Sequence, residues 1–200
     1  MKVEAIIFDW AGTVIDYGCF APIHAFREAF LSAGVEVTLE EVRKPMGLLK
    51  REHIVALLKM DRVNEQWMET YQRTPTDQDV DMLYQLFEDR LYKNLHEFTD
   101  PLPGVVDIVN RLRQQGMKIG STTGYTREML DMVAAYAKQK GYQPDITCCA
   151  DEVEKGRPAP DMIFQNMLEL DVFQPRSMVK VGDTISDIQE GRNAGVWTVS

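Results

Sequence analysis

Cysteine is scarce in this chain: three occur in 200 residues, Cys19, Cys148 and Cys149. An odd number without metal-ligand spacing argues against a disulfide framework and for a reducing compartment. No apolar run approaches the length needed to cross a bilayer, and no internal repeat is visible. Basic runs that could follow a phosphate backbone are also missing. Lys and Arg number 22 against 31 Asp and Glu, a formal net charge of -9, so neither nucleic acid nor a membrane is expected as a partner. A small phosphorylated molecule stays open, because one cation and a few positive side chains can invert the field inside a single cleft. The opening MKVEAIIFDWAGT lacks the long apolar stretch and small-residue cleavage site of a secretory signal. These absences predict a cytoplasmic protein.

What is present is the composition of a soluble globular protein, 44% hydrophobic and 26% charged, in a length that suits one domain with or without a sizeable insertion. Residues 3–8 form a short apolar run that ends at Asp9 and is followed by the turn-forming Ala11, Gly12 and Thr13. This is the pattern of a buried parallel strand. Similar runs at 117–124, 177–183 and 197–199 alternate with helical patterns at 104–115, 126–140, 159–170 and 184–193. The alternation predicts an α/β fold with a doubly wound, Rossmann-like parallel sheet. Such sheets bind ligands at the carboxyl ends of their strands, where Asp9, Thr123 and Asp183 fall.

Residues 18–99 offer amphipathic periodicity without a convincing strand, with helices expected at 21–33, 39–43, 50–60, 64–72 and 76–91. Thr76 and Asp77 after Pro75 mark a helix start, and Pro101 and Pro103 mark a return to the sheet domain. The organisation expected is therefore an α/β core of residues 1–17 and 100–200 interrupted by a helical cap of residues 18–99.

The strand ends carry residue types suited to phosphoryl chemistry. A carboxylate such as Asp9 can attack phosphorus in line, and Mg2+, which needs hard oxygen ligands, can be held by a second carboxylate such as Asp183. Taken singly, these acids read as turn, cap or helix-start residues. Together, AIIFDWAGT at 5–13, Thr123 after a strand, Gly156-Arg157-Pro158, and Gly182-Asp183-Thr184 with Asp187 resemble the four motifs of the haloacid dehalogenase superfamily. The resemblance implies Asp9 as nucleophile and Mg2+ held by Asp9, Asp183 and the backbone carbonyl of Ala11. Asp187 would then support the metal site, while Thr122, Thr123 and Gly124 bind the phosphoryl oxygens and Arg157 balances their charge.

The departure from that pattern is Ala11, because ordinary phosphatases of the superfamily place a second Asp there to protonate a departing alkoxide. A carbon leaving group needs an electron sink instead, and an iminium formed on a lysine supplies one. Met46-Gly47-Leu48-Leu49-Lys50 with His53, together with DWAGT, DYGCF and GSTTGYTREM, closely resembles the phosphonatase family of the same superfamily. This implies cleavage of the carbon-phosphorus bond of phosphonoacetaldehyde in 2-aminoethylphosphonate degradation, and a homodimer joined through cap helices. Lys50 would form the Schiff base, and His53 one turn on would shuttle a proton or orient a neighbour. Met46, Cys19 and Tyr125 would line the pocket. Lys50 alone reads as a solvated lysine and His53 as a satisfied helix histidine. Two other functions remain in view, a phosphate-monoester phosphatase or mutase and a non-catalytic phosphate-binding module. The resembling family continues beyond Val199-Ser200, so if this is the whole polypeptide an uncovered sheet edge is expected.

Overall fold

The computed structural model describes residues 2–17 and 19–200; Gly18, where the sequence places the start of the helical insertion, lies outside the described residues. Strand β1 (Ala5–Phe8) is Ala-Ile-Ile-Phe and is buried along its whole length, as expected of an apolar run covered on both faces. Five helices follow: α1 (Phe20–Ser32), α2 (Leu39–Arg43), α3 (Lys50–Leu58), α4 (Asp61–Tyr71) and α5 (Asp77–Asn94). After a 3-10 turn at Leu95–Phe98, strand and helix alternate: α6 (Val105–Gln114), β2 (Lys118–Thr123), α7 (Arg127–Gln139), β3 (Ile146–Cys149), α8 (Asp161–Glu169), β4 (Met178–Val181), α9 (Ile185–Asn193) and β5 (Trp197–Val199).

The five strands form one parallel sheet in the order β3-β2-β1-β4-β5. The doubly wound architecture expected from the alternation is therefore present. The chain adds β2 and β3 on one side of β1 and then crosses to add β4 and β5 on the other, which puts a topological switch point beside β1. Phe8 pairs with Ser121 of β2 and with Val181 of β4. Asp9, Thr122 and Gly182 follow those residues, so this register brings them to the same level of the sheet.

Strand β3 is not among the four runs read from the sequence, although Cys148 and Cys149 carry the buried character expected of a strand end. It has four residues, Ile-Thr-Cys-Cys, and pairs with β2 alone among the described strands. A short edge strand lacks the apolar run that marks a central one. Helix α4 starts three residues before the expected position and α5 runs three residues past it.

Contacts divide the chain into two compact units, Met1–Cys19 with His96–Ser200, and Phe20–Leu95. The first holds the sheet. Its core on one face gathers Ala5, Ile7, Ile163, Met167, Met178 and Val196. The second unit is wholly helical among its described residues. Inside it, Phe26 of α1 stacks on Phe87 of α5 with ring centroids 4.2 Å apart, an aromatic contact that adds to the burial of both rings. Thr38 and Thr76 start α2 and α5 through reciprocal capping boxes with Glu41 and Asp79. Among the described residues, no helix is long and apolar enough to cross a membrane.

Candidate active site

The carboxyl edge of the sheet gathers the acids. Asp9 leaves β1 buried, and its Oδ1 accepts a hydrogen bond from Arg157 Nη2 at 2.6 Å. Burial pushes its carboxyl up to about 7, against the pull of Arg157 and with a further push from Asp187. Asp183 follows Gly182 after β4; burial and then the charge of Asp187 raise its carboxyl as well. Asp187 sits in the first turn of α9. One of its oxygens caps that helix through Thr184, and the other faces Lys180 Nζ at 2.9 Å and Arg157 Nη1 at 3.0 Å. The bland reading of Asp187 as a helix-start residue is thus true of one oxygen, while the cations claim the other.

Two glycines allow this crowding. Gly12 has φ +90, and a Cβ there would stand 2.3 Å from Asp183 Oδ2. A Cβ on Gly182 would stand 2.3 Å from Asp187 Cγ. Neither distance admits a side chain. Beside Gly12, the Ala11 carbonyl accepts from Cys19 Sγ at 3.0 Å, and Thr13 Oγ1 donates to Asp183 Oδ1 at 3.2 Å.

One carboxylate oxygen from each of Asp9, Asp183 and Asp187 lies within 4.8 Å of the others. These are hard oxygen donors of the kind Mg2+ selects. Burial first, and the charge of Asp187 after it, raise Asp9 and Asp183, and a divalent cation would favour their ionised forms. The donor set therefore fits the ion.

Thr122 and Thr123 end β2 and are buried. Thr123 Oγ1 accepts from the Tyr125 amide at 3.1 Å. The Thr122 hydroxyl is engaged inward, accepting from Lys180 Nζ at 2.7 Å and Arg157 Nη2 at 2.8 Å. Gly124 forms the turn between β2 and α7. Tyr125 is buried, and burial followed by the charge of Asp16 holds its phenol well above the usual value. Arg157 is no exposed loop cation: it is 5% exposed and faces Asp9, Asp187 and Glu190.

In the helical unit, half-buried Met46 precedes Gly47 in the approach to α3, and half-buried Lys50 is the first residue of that helix. His53 follows one turn later, fully buried, its ring stacked on Phe26 at 4.0 Å between centroids. Both ring nitrogens are buried. Burial first and the Lys50 charge second press the imidazole down to about 3, against a weaker pull from the Val42 backbone. The ring is neutral at neutral pH.

Residues 6–200 match the model of the haloacid dehalogenase-like hydrolases. The phosphonoacetaldehyde hydrolase of Bacillus cytotoxicus is 54% identical over 199 residues, spanning 100% of this chain and 75% of that protein. One from Bacillus cereus is 52% identical over the same span. The chain belongs to the phosphonoacetaldehyde hydrolase family. A solved structure of a phosphonoacetaldehyde hydrolase-like protein from Oleispira antarctica covers 99% of the chain, and 72% of its own length is covered, at 40% identity and a TM-score of 0.96. CbbY from Rhodobacter sphaeroides, solved with phosphate, shares the fold at 20% identity and a TM-score of 0.74 over 98% of this chain and 85% of its own.

In this member of the phosphonoacetaldehyde hydrolase family, the α/β unit brings Asp9, Ala11, Cys19, Thr122, Thr123, Gly124, Tyr125, Arg157, Asp183 and Asp187 to one edge of the sheet. The helical unit holds Met46, Lys50 and His53 within α3 and its approach. Sequence reasoning passed over two charged residues that contact this site, Lys180 of β4 and Glu190 of α9, both fully buried. The signals were a lysine inside the apolar run Met-Val-Lys-Val, and a carboxylate three residues beyond Asp187 on the same helical face.

Proposed function

We propose that this chain hydrolyses the carbon-phosphorus bond of phosphonoacetaldehyde to acetaldehyde and phosphate, as part of 2-aminoethylphosphonate breakdown. The observation that carries the reading is a buried carboxylate without a second acid two residues on: Asp9 is held by Arg157, and position 11 is Ala. The names of its relatives support the same chemistry.

In this reading Lys50 Nζ adds to the aldehyde carbonyl and water leaves, giving a protonated imine. A reacting amine must be neutral, so Lys50 attacks as the free amine. Asp9 attacks phosphorus, the carbon-phosphorus bond breaks, and its electron pair enters the imine to give an enamine. Arg157, anchored on both sides of Asp9, balances the phosphoryl charge. Protonation at carbon and hydrolysis release acetaldehyde and free Lys50; water then cleaves the aspartyl-phosphate. The sum consumes one water. Bound by Asp9, Asp183 and the Ala11 carbonyl with Asp187 in support, Mg2+ would neutralise charge on the transferring phosphoryl group.

His53, neutral and buried against the Phe26 ring, suits orientation of its neighbours better than proton transfer through an imidazolium. Residues 20–95 would act as the cap that excludes water from the enamine. Among the described residues the cysteines form no disulfide; a cytoplasmic setting and a homodimer through the helical unit belong to the same reading. The test is incubation with phosphonoacetaldehyde and detection of both products. Turnover of simple phosphate monoesters that survives Lys50→Ala, with none of phosphonoacetaldehyde, would contradict it.

A further inference from the structure

Behind the nucleophile lies a web of buried charge. Lys180 Nζ donates to Thr122 Oγ1 at 2.7 Å and pairs with Asp187 Oδ1 at 2.9 Å and Glu190 Oε2 at 3.3 Å. Glu190 Oε2 also accepts from Arg157 Nε at 3.1 Å and from Thr122 Oγ1 at 3.3 Å. Lys180, Asp187 and Glu190 are each 0% exposed, and Asp9 and Arg157 nearly so. Three carboxylates thus share two cations inside the protein.

Such a web is a poor stability device. Taking ions out of water costs several kcal/mol each, and replacing a buried ion pair with apolar groups of similar volume is often neutral or stabilising. Here the cost is raised further, because Glu190 Oε1 is buried without a hydrogen bond. What the web does supply is orientation. A guanidinium is a rigid planar fork, and Arg157 offers Nη2 to Asp9 at 2.6 Å and to the Thr122 carbonyl at 2.9 Å. Glu190 takes the remaining side of the fork, at Nε, and thereby fixes the plane in which Nη2 meets the nucleophile. Lys180 ties Glu190, Asp187 and Thr122 to one ammonium, so strands β2 and β4 and helix α9 share a single frame.

Resting on the reading of Asp9 as nucleophile, we propose that Glu190 and Lys180 are positioning residues for the reaction: Glu190 sets the plane of the Arg157 guanidinium, and Lys180 holds Glu190 and Asp187 in register with it. Neither touches the reacting atoms. Their effect falls on the transition state, in which Arg157 must meet the phosphoryl group during transfer.

The test compares the parent with Lys180→Met/Glu190→Leu, which removes both charges together, and with Glu190→Gln, which keeps the shape. Melting temperature, kcat and KM for phosphonoacetaldehyde, and the affinity for orthovanadate with Mg2+ are measured; vanadate imitates the five-coordinate phosphoryl group in transfer. The double variant is expected to melt at or above the parent temperature while kcat falls roughly 10- to 100-fold, as for other groups that orient a reacting shell. KM should change less than about threefold, and vanadate affinity should fall by about the same factor as kcat, the signature of lost transition-state binding. Glu190→Gln should show the same split in smaller degree, and it decides the matter if the double variant does not fold. A folded variant with kcat and vanadate affinity within about twofold of the parent would overturn the proposal, since a merely structural web moves only the melting temperature. A parent that binds vanadate yet leaves phosphonoacetaldehyde uncleaved would contradict the proposed activity, while the vanadate comparison still judges the positioning role.

Discussion

Arg157 meets carboxylates on three sides, Asp9, Asp187 and Glu190, and is itself almost wholly enclosed. Its removal should therefore cost more than its contacts are worth. Arg157→Ala leaves buried anions uncompensated and is expected to lower unfolding stability by about 3–5 kcal/mol in urea titration. Arg157→Lys keeps the charge but loses the fork, and should fold while turning over about 100-fold more slowly. Near-parent stability of the alanine variant would show that the carboxylates are not held by this cation. Asp9 leads to a second expectation. Its carboxyl lies near 7 in the metal-free protein, so below that pH an incoming cation must displace a proton. Mg2+ binding followed by calorimetry in buffers of different ionisation enthalpy should release a proton at pH 6, with affinity rising toward pH 7 and levelling above it. Binding without proton release at pH 6 would remove Asp9 from the ligand set. The acids of this cluster were legible in the sequence because they stand at strand ends with glycines beside them. Lys180 and Glu190 were not, since a lone lysine or glutamate ordinarily reads as solvated, and only the fold shows that each faces an opposite charge.

The helices of residues 20–95 take their boundaries from capping boxes, and two arginines reinforce them: Arg62 on Glu41 and Arg73 on Asp79. Arg62 is the main reason that the Glu41 carboxyl falls to about 2, and Arg73 likewise depresses Asp79. Both folded values lie below the unfolded ones. The stabilisation is therefore present above about pH 4.5, the ordinary range of a free glutamate, and is lost as pH falls toward 2. Helical circular dichroism in urea should weaken between pH 5 and pH 3, and Arg62→Ala should flatten part of that dependence. Thr76→Ala should lower stability by about 1 kcal/mol through loss of the α5 cap. Equal urea midpoints at pH 5 and pH 3 would contradict the capping account. Helices of this kind were legible from their amphipathic period and, for α5, from the Pro75-Thr76-Asp77 start, whereas β3 was missed because Ile146–Cys149 is a short edge strand without the apolar run of β1.

At the scale of the whole molecule, the proposed chemistry draws on residues of both compact units. The α/β unit holds Asp9, the carboxylate proposed as nucleophile, with a metal-fitting acid cluster and a buried cation at the switch point of its sheet. The helical unit holds an amine at the start of α3 with a neutral histidine one turn on. Parallel topology and the ends of the strands followed from the alternation of apolar runs and helical periods. The proposed partnership of Lys50 with Asp9 did not, because a lysine reads as solvated in isolation. That partnership is the central claim, and it has a direct chemical test. Borohydride added with phosphonoacetaldehyde should inactivate the protein and attach the reduced two-carbon adduct to Lys50, found by peptide mass analysis, while Lys50→Arg takes up no mass. Full activity and unchanged mass after the same treatment would show that no imine forms, and the division of labour between Asp9 and Lys50 would be wrong.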